Sequence, residues 1–339
     1  NAAVTNTGTM FFRGAISNNF VTSGSVTLNN AATITGTTSL TAGSLNLAGQ
    51  RLTNGLLVVS GTGILTNNTG GATVNGAVSN AATIALTANT FFNSAVTNTG
   101  TLYLQGSVSN NLVNSGGVAL NGNSLVTGSA LINGGSLNLV GNNLGGGQVV
   151  IASGATLTNA VAGGSVSSGL TNAGTVFVSA TTFLTGPVTN TGTMVFQGAI
   201  SNNLVNSGSI TLNNAATITG TGTINAGSLD LAGNALTNNL LVVTGTGVLT
   251  NSTGTGTLRG NLSLLNATIT GSTINNAGSI GGTGTIAAQI NNTGWIFATN
   301  GTLWAQSATF TNAGTIGARS SNAILDVQVP GAGQPLINT

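Results

Sequence analysis

The chain contains no cysteine, histidine, lysine or glutamate; its charge rests on four arginines and two aspartates. Without those four residue types there is no disulfide framework, no thiol or imidazole nucleophile and no Schiff-base amine. The absence of cysteine leaves the redox compartment open. Only 2% of residues are charged, against about 25% in ordinary soluble domains. Arg13, Arg51, Arg259 and Arg319 are scattered, so they form no basic patch, and the sequence predicts no nucleic-acid partner. No apolar run approaches the roughly 20 residues of a membrane helix. Aromatics at 4% are too few for the girdles of a membrane barrel, so no membrane insertion is expected. Glycine is abundant (53 residues) and proline rare (3), but glycine does not fall at every third position, which excludes collagen. With 40% hydrophobic residues the chain is also too apolar for a disordered segment. It opens on Asn1 without a methionine or a signal-like region, and so reads as a processed chain or an excised segment.

What the sequence does have is repetition. Val4-Thr5-Asn6-Thr7-Gly8-Thr9-Met10 returns as Val96-Thr97-Asn98-Thr99-Gly100-Thr101-Leu102 and again from Val188 to Met194, a spacing of 92 (96 − 4 and 188 − 96). Aligned at twice that spacing, 51 of 67 residues are identical between 4–70 and 188–254. So strict a period means one unit stacked on itself. The long repeats are 4–95, 96–187 and 188–279, with a partial fourth at 280–317. Residues 318–339 match no earlier copy and read as a cap or a docking tail. Within each unit a small residue after Asn or Ser opens a new run, at Gly8, Gly24, Gly43, Gly61 and Ala82, giving five coils of about 18 residues.

Short alternating segments such as Ser25-Val26-Thr27-Leu28 and Thr175-Val176-Phe177-Val178 follow these small residues. Period-two alternation between turn residues is the strand signal, and no helical spacing persists. Comparing copies separates inside from outside. Met10, Leu102 and Met194 stay apolar, as do Phe12, Leu104 and Phe196, while Phe11, Tyr103 and Val195 vary between them. Leu45 and Leu47 recur as Leu137 and Leu139, then as Leu229 and Leu231, around Asn46, Asn138 or Asp230. The constant set is the expected core and the variable set the expected surface, so Asp230 is expected to face solvent. Coils of this length with three short strands each predict an all-β parallel β-helix of roughly 18 coils, continuous over 1–317, each strand pairing with its equivalent one coil on. Asn6, Asn98, Asn114, Asn172, Asn190, Asn206 and Asn312 precede sharp turns, where asparagine tolerates the left-handed conformation. Stacking would set them in ladders.

This Asn-x-Gly and Leu-x-Leu pattern, carried by 4–12, 96–104, 188–196 and the Leu45/Leu47 coils, resembles the passenger segments of bacterial autotransporters and filamentous-haemagglutinin-like adhesins. The resemblance covers about residues 1–317. It implies a right-handed parallel β-helix exported to the bacterial surface, serving adhesion or forming a fibre. Those passengers usually carry more charge and less uniform repeats, and near-identical copies look more like building material than a tailored receptor.

No catalytic or cofactor-binding residue is expected. Acid–base work on sugars needs paired carboxylates, yet Asp230 and Asp326 stand about five coils apart, and two isolated aspartates make no metal site. Gly145-Gly146-Gly147 lacks the lysine and helix of a phosphate loop. Asn-x-Ser/Thr triplets at Asn67, Asn251, Asn261, Asn266 and Asn300 read as chance matches. Thr-x-Thr elements hint at an ice-binding array, but the equivalent outward position runs Thr27, Ala119, Thr211, so the array is broken. Phe11 and Tyr103 are expected at the surface, able to stack on a sugar or a second subunit. Trp295 and Trp304 read first as core or cap residues, and otherwise as members of that surface set. The expected function is a non-enzymatic structural building block of an extracellular, cell-surface fibre. Its partner would be the chain itself, end to end, or the continuation of a longer parent chain. The competing expectation is an adhesin stalk whose lateral face binds glycan or a host protein.

Overall fold

The structure, a computed structural model, describes residues 3–307, 309–328 and 336–338. All their regular structure is β-strand, with no helix. The strands pair in parallel and wind as a β-solenoid of about 17 turns in all, where the repeat length predicts roughly 18. The chain forms two compact units, residues 1–170 and 171–339.

In the first unit three columns of strands rise in parallel. The first stacks 4–6, 20–22, 38–40, 57–59, 78–80, 96–98, 112–114 and 130–132 in register. The second begins with 9–12, 25–28, 44–46 and 64–66, and the third with 14–16 and 32–34. The second unit repeats the plan, for example 188–190 on 204–206 on 222–224. Neighbouring coils donate backbone N–H groups to one another, which satisfies the main chain without a helix.

Alternation sets the interior. Leu47, Leu102, Leu104, Leu137, Leu139, Met194 and Leu231 are fully buried, and Leu45, Phe196 and Leu229 nearly so. Phe12 retains 7% exposure and Met10 is only half-buried. Both lie on 9–16, whose pairing among the described residues is with 25–34. Asp230 is half-buried rather than free in solvent. Its Oδ1 accepts from Ala232 N and Ser252 N, each at 2.9 Å.

That carboxylate has a structural task shared across the copies. Asn46 and Asn138 accept in the same way from Ala48 N and Val140 N, at 3.0 and 3.1 Å. Ala48, Val140 and Ala232 have φ of 49°, 51° and 46°, and the glycine after each is also positive. Two successive left-handed residues make a primed turn, closed by Gln50 N on Leu47 O at 2.8 Å and its equivalents. From the next coil, buried Asn67, Asn159 and Asn251 accept from Gly49, Gly141 and Gly233 N at 2.9, 2.9 and 2.7 Å. Asn67 and Asn251 are fully buried, so their Asn-x-Thr triplets offer no glycan acceptor.

Beyond 317 the chain does not leave the solenoid. Ile324–Val327 pairs in parallel with 302–305, and Leu336–Asn338 pairs with 310–312. The non-repeating tail therefore supplies further rungs, because main-chain pairing does not depend on the repeat sequence. Val329, Pro330 and Pro335 lie outside the described residues.

Candidate functional site

Two constellations stand out, one inside and one outside. The inner one is asparagine. In the first unit Asn80 Nδ2 donates to Asn98 Oδ1 and Asn98 Nδ2 to Asn114 Oδ1, both at 2.6 Å. In the second, Asn172, Asn190 and Asn206 form the same chain at 2.7 Å per step. In Asn80, Asn98, Asn114, Asn190 and Asn206 the Nδ2 also reaches the carbonyl two residues on, as from Asn98 to Gly100 O at 3.1 Å. That carbonyl already accepts a backbone N–H from the next coil, as Gly100 O does from Gly117 N at 2.8 Å, so the asparagine gives a two-residue corner a second, side-chain donor.

Asn312 stands apart from these two chains. It accepts from Asn292 at 2.6 Å, and Asn292 from Asn276 at 2.7 Å. This third ladder continues a different column, that of Leu236 and Leu258, since Ala277 N donates to Leu258 O. The strand after Asn276 instead stacks on 261–265. An identical local sequence is thus carried over to the next column. Asn6 bonds Gly8 O at 3.0 Å and Thr22 Oγ1 at 3.1 Å, so threonine takes the place of the next asparagine.

The outer constellation lies on the second unit. Trp295 is 51% exposed and Trp304 40% exposed; both point outward, which overturns the core reading of the tryptophans. Phe11 and Tyr103 are exposed as well, at 69% and 42%, but on other coils. Trp295 and Phe297 alternate with buried Ile296 and Ala298 on one strand, so both rings emerge on the same side. Phe297 pairs with Gly281 on the coil before, and a Cβ there would collide with its ring; glycine is what lets the ring lie against the sheet. Arg319 N donates to Ala298 O at 3.0 Å. From that anchor its guanidinium folds back to 3.7 Å from the Phe297 centroid and 5.3 Å from that of Trp295. Such cation–π contacts contribute about 0.5–1 kcal/mol at an exposed site.

These residues edge a groove of about 660 Å³ whose other wall is Asn239, Leu240, Asn261 and Ser263. The polar rim is held in place: Ser279 Oγ donates to Asn261 Oδ1 at 2.8 Å, and Asn261 Nδ2 to Asn239 O at 3.1 Å. A second groove, of about 490 Å³ on the first unit, has Phe91 and Leu125 in its lining and no charged side chain. Among the described residues no group of three or more His, Cys, Asp or Glu could hold a metal ion. Asp326 accepts from Gln328 at 2.7 Å.

Sequence reasoning singles out Trp295 but not Phe297 or Arg319 as its neighbours; only the pairing register brings the three together. Nor does it single out Asn80, Asn276 and Asn292, although each stands two residues before a small residue in the same Asn-x-Gly/Ala pattern. No family model matches the chain, and neither a curated protein nor a solved structure matches it.

Proposed function

We propose that this chain is a non-enzymatic structural protein of the bacterial cell surface, a β-solenoid building block of an extracellular fibre or sheath that assembles end to end. One observation carries the reading: the residues that repeat most strictly are those that build the coil. The primed turn at Ala48, Val140 and Ala232 and its two side-chain acceptors recur in all three copies. Outward positions vary more freely, as at Phe11, Tyr103 and Val195 or Asn46, Asn138 and Asp230. The near absence of charge removes the repulsion that keeps chains apart, and parallel strands pair readily with further strands. The test is negative-stain electron microscopy of purified chain, with fractionation of the producing cells. Filaments and surface-exposed material support the reading; short monodisperse rods or material confined to the cytoplasm sink it.

A second reading, an adhesin stalk with a lateral binding face, is favoured by one specific observation. The Trp295–Phe297–Arg319 cluster occurs on the late coils only and breaks the repeat, as a recognition site would and a building element need not.

A further inference from the structure

We infer that the groove edged by Trp295, Phe297 and Arg319 binds a saccharide that carries a carboxylate. Trp295 supplies an exposed flat face, and the apolar face of a sugar ring is the ligand surface that lies flat on an aromatic. Opposite it stand neutral amides and hydroxyls, Asn239, Asn261, Ser263 and Ser279, which match sugar hydroxyls as both donors and acceptors.

Arg319 sets the charge of the ligand. Its guanidinium face rests on Phe297 at 3.7 Å, while its N–H groups make no side-chain hydrogen bond or ion pair among the described residues. A guanidinium stacked by its face presents its N–H fork edgewise, the geometry that grips a carboxylate with two bonds. The chain has only two carboxylate side chains, Asp230, whose Oδ1 is held by two backbone N–H groups, and Asp326, which bonds Gln328. A second copy of this chain is therefore a poor source of the complementary charge. An extended peptide would dock by adding a strand to a free sheet edge, but the strands under the groove are paired on both sides, 279–282 lying between 261–264 and 295–298. The inference deepens the lateral-binding reading and rests on it, not on filament formation.

The test uses the full chain with Trp304→Phe, so that Trp295 is the sole indole reporter. Its fluorescence is titrated with hexagalacturonate, a hyaluronan hexasaccharide and sialyllactose, with maltohexaose and an Asp/Glu hexapeptide as controls. At least one acidic saccharide should give a saturable change that weakens with added salt. Arg319→Gln, checked for unchanged far-ultraviolet circular dichroism, should weaken it by about tenfold or more, as expected on losing a charged hydrogen-bond pair. Binding by none of the three, equal binding of maltohexaose, equal binding by the Arg319→Gln chain, or tighter binding of the peptide each overturns the inference. Electron microscopy of the same samples keeps the two readings separate. Filaments that bind no sugar sink only the groove, and monodisperse chains that bind sugar sink only the fibre.

Discussion

The first column of the first unit has two stretches that solve one problem differently. At Asn80, Asn98 and Asn114 the inward corner residue is an asparagine joined to its neighbours through side chains. At Leu40, Val59 and Ile132 the same corner is filled by a fully buried aliphatic side chain. What differs is the length of the link to the next strand. Asparagine, or Thr22, appears where two residues intervene, as in Thr99-Gly100. Aliphatic residues appear where the link is longer and contains a left-handed glycine: Gly43 (φ 65°), Gly61 (φ 59°) and Gly135 (φ 60°). The four-residue link also bonds within itself, Gly63 N to Ser60 O at 2.9 Å. In a short corner the inward carbonyl takes an asparagine Nδ2 as a second donor, as Gly100 O bonds both Asn98 and Gly117 N; the four-residue corner adds a bond within its own backbone instead. The second unit follows the rule, with Asn190 and Asn206 before two-residue links and Ile224 before a link containing Gly227 (φ 65°).

This comparison can be broken by substitution, beginning with the largest effect. Asn98→Ala removes the middle of a ladder, so Asn80 Nδ2 keeps only backbone carbonyls, Asn114 Oδ1 only Gly116 N and the Gly100 carbonyl only Gly117 N. It should cost about 3 kcal/mol, from the cavity and the lost hydrogen bonds together, seen as a lowered midpoint in chemical denaturation. A loss under about 1 kcal/mol would mean that the ladder is dispensable. Ile132→Asn makes the converse change, placing an amide in a corner that the structure fills with a fully buried aliphatic side chain, and should cost about 2–3 kcal/mol. If it proves neutral, link length does not govern the choice of residue.

Two threonines sharpen the contrast further. Thr22 Oγ1 accepts from Asn6 and donates to Gly24 O at 3.4 Å, whereas the fully buried Thr38 Oγ1 has no partner. Replacing each by valine should give opposite signs, a loss of about 1 kcal/mol at Thr22 and a gain of similar size at Thr38, read by thermal melts. Val140 is smaller still in effect. Its φ of 51° is costly for a β-branched side chain, so Val140→Gly should raise stability by several tenths of a kcal/mol. The same change at Ala48 or Ala232 should yield less, because alanine is less crowded there.

Much of this architecture can be read from the letters. The 92-residue spacing, the alternation of Leu45 and Leu47 around Asn46, and the constancy of Met10, Leu102 and Met194 suffice to expect parallel stacked coils with those leucines inside. Periodicity reports such features because it is itself the consequence of stacking. The transfer of Asn276, Asn292 and Asn312 to another column is not legible, since the same Asn-x-Gly corner fits any column, and link lengths over 248–276 decide which. The Trp295–Phe297–Arg319 cluster is equally hidden. It depends on Gly281 lying one rung before Phe297 and on Arg319 following the strand one rung beyond, and neither relation repeats. Exposure of both tryptophans, nine residues apart, depends on a break in the alternation of their strand at Asn300 (φ 54°) and Gly301 (φ 146°), which composition does not reveal.

The buried ladder is the most direct point of attack. In protein labelled with nitrogen-15 at asparagine side chains, hydrogen exchange of the Asn98 and Asn190 amides can be followed against that of exposed Asn214. Stacked coils with a dry interior require the first two to retain their protons for hours while Asn214 loses them at once. Equally rapid exchange at all three positions would contradict the account.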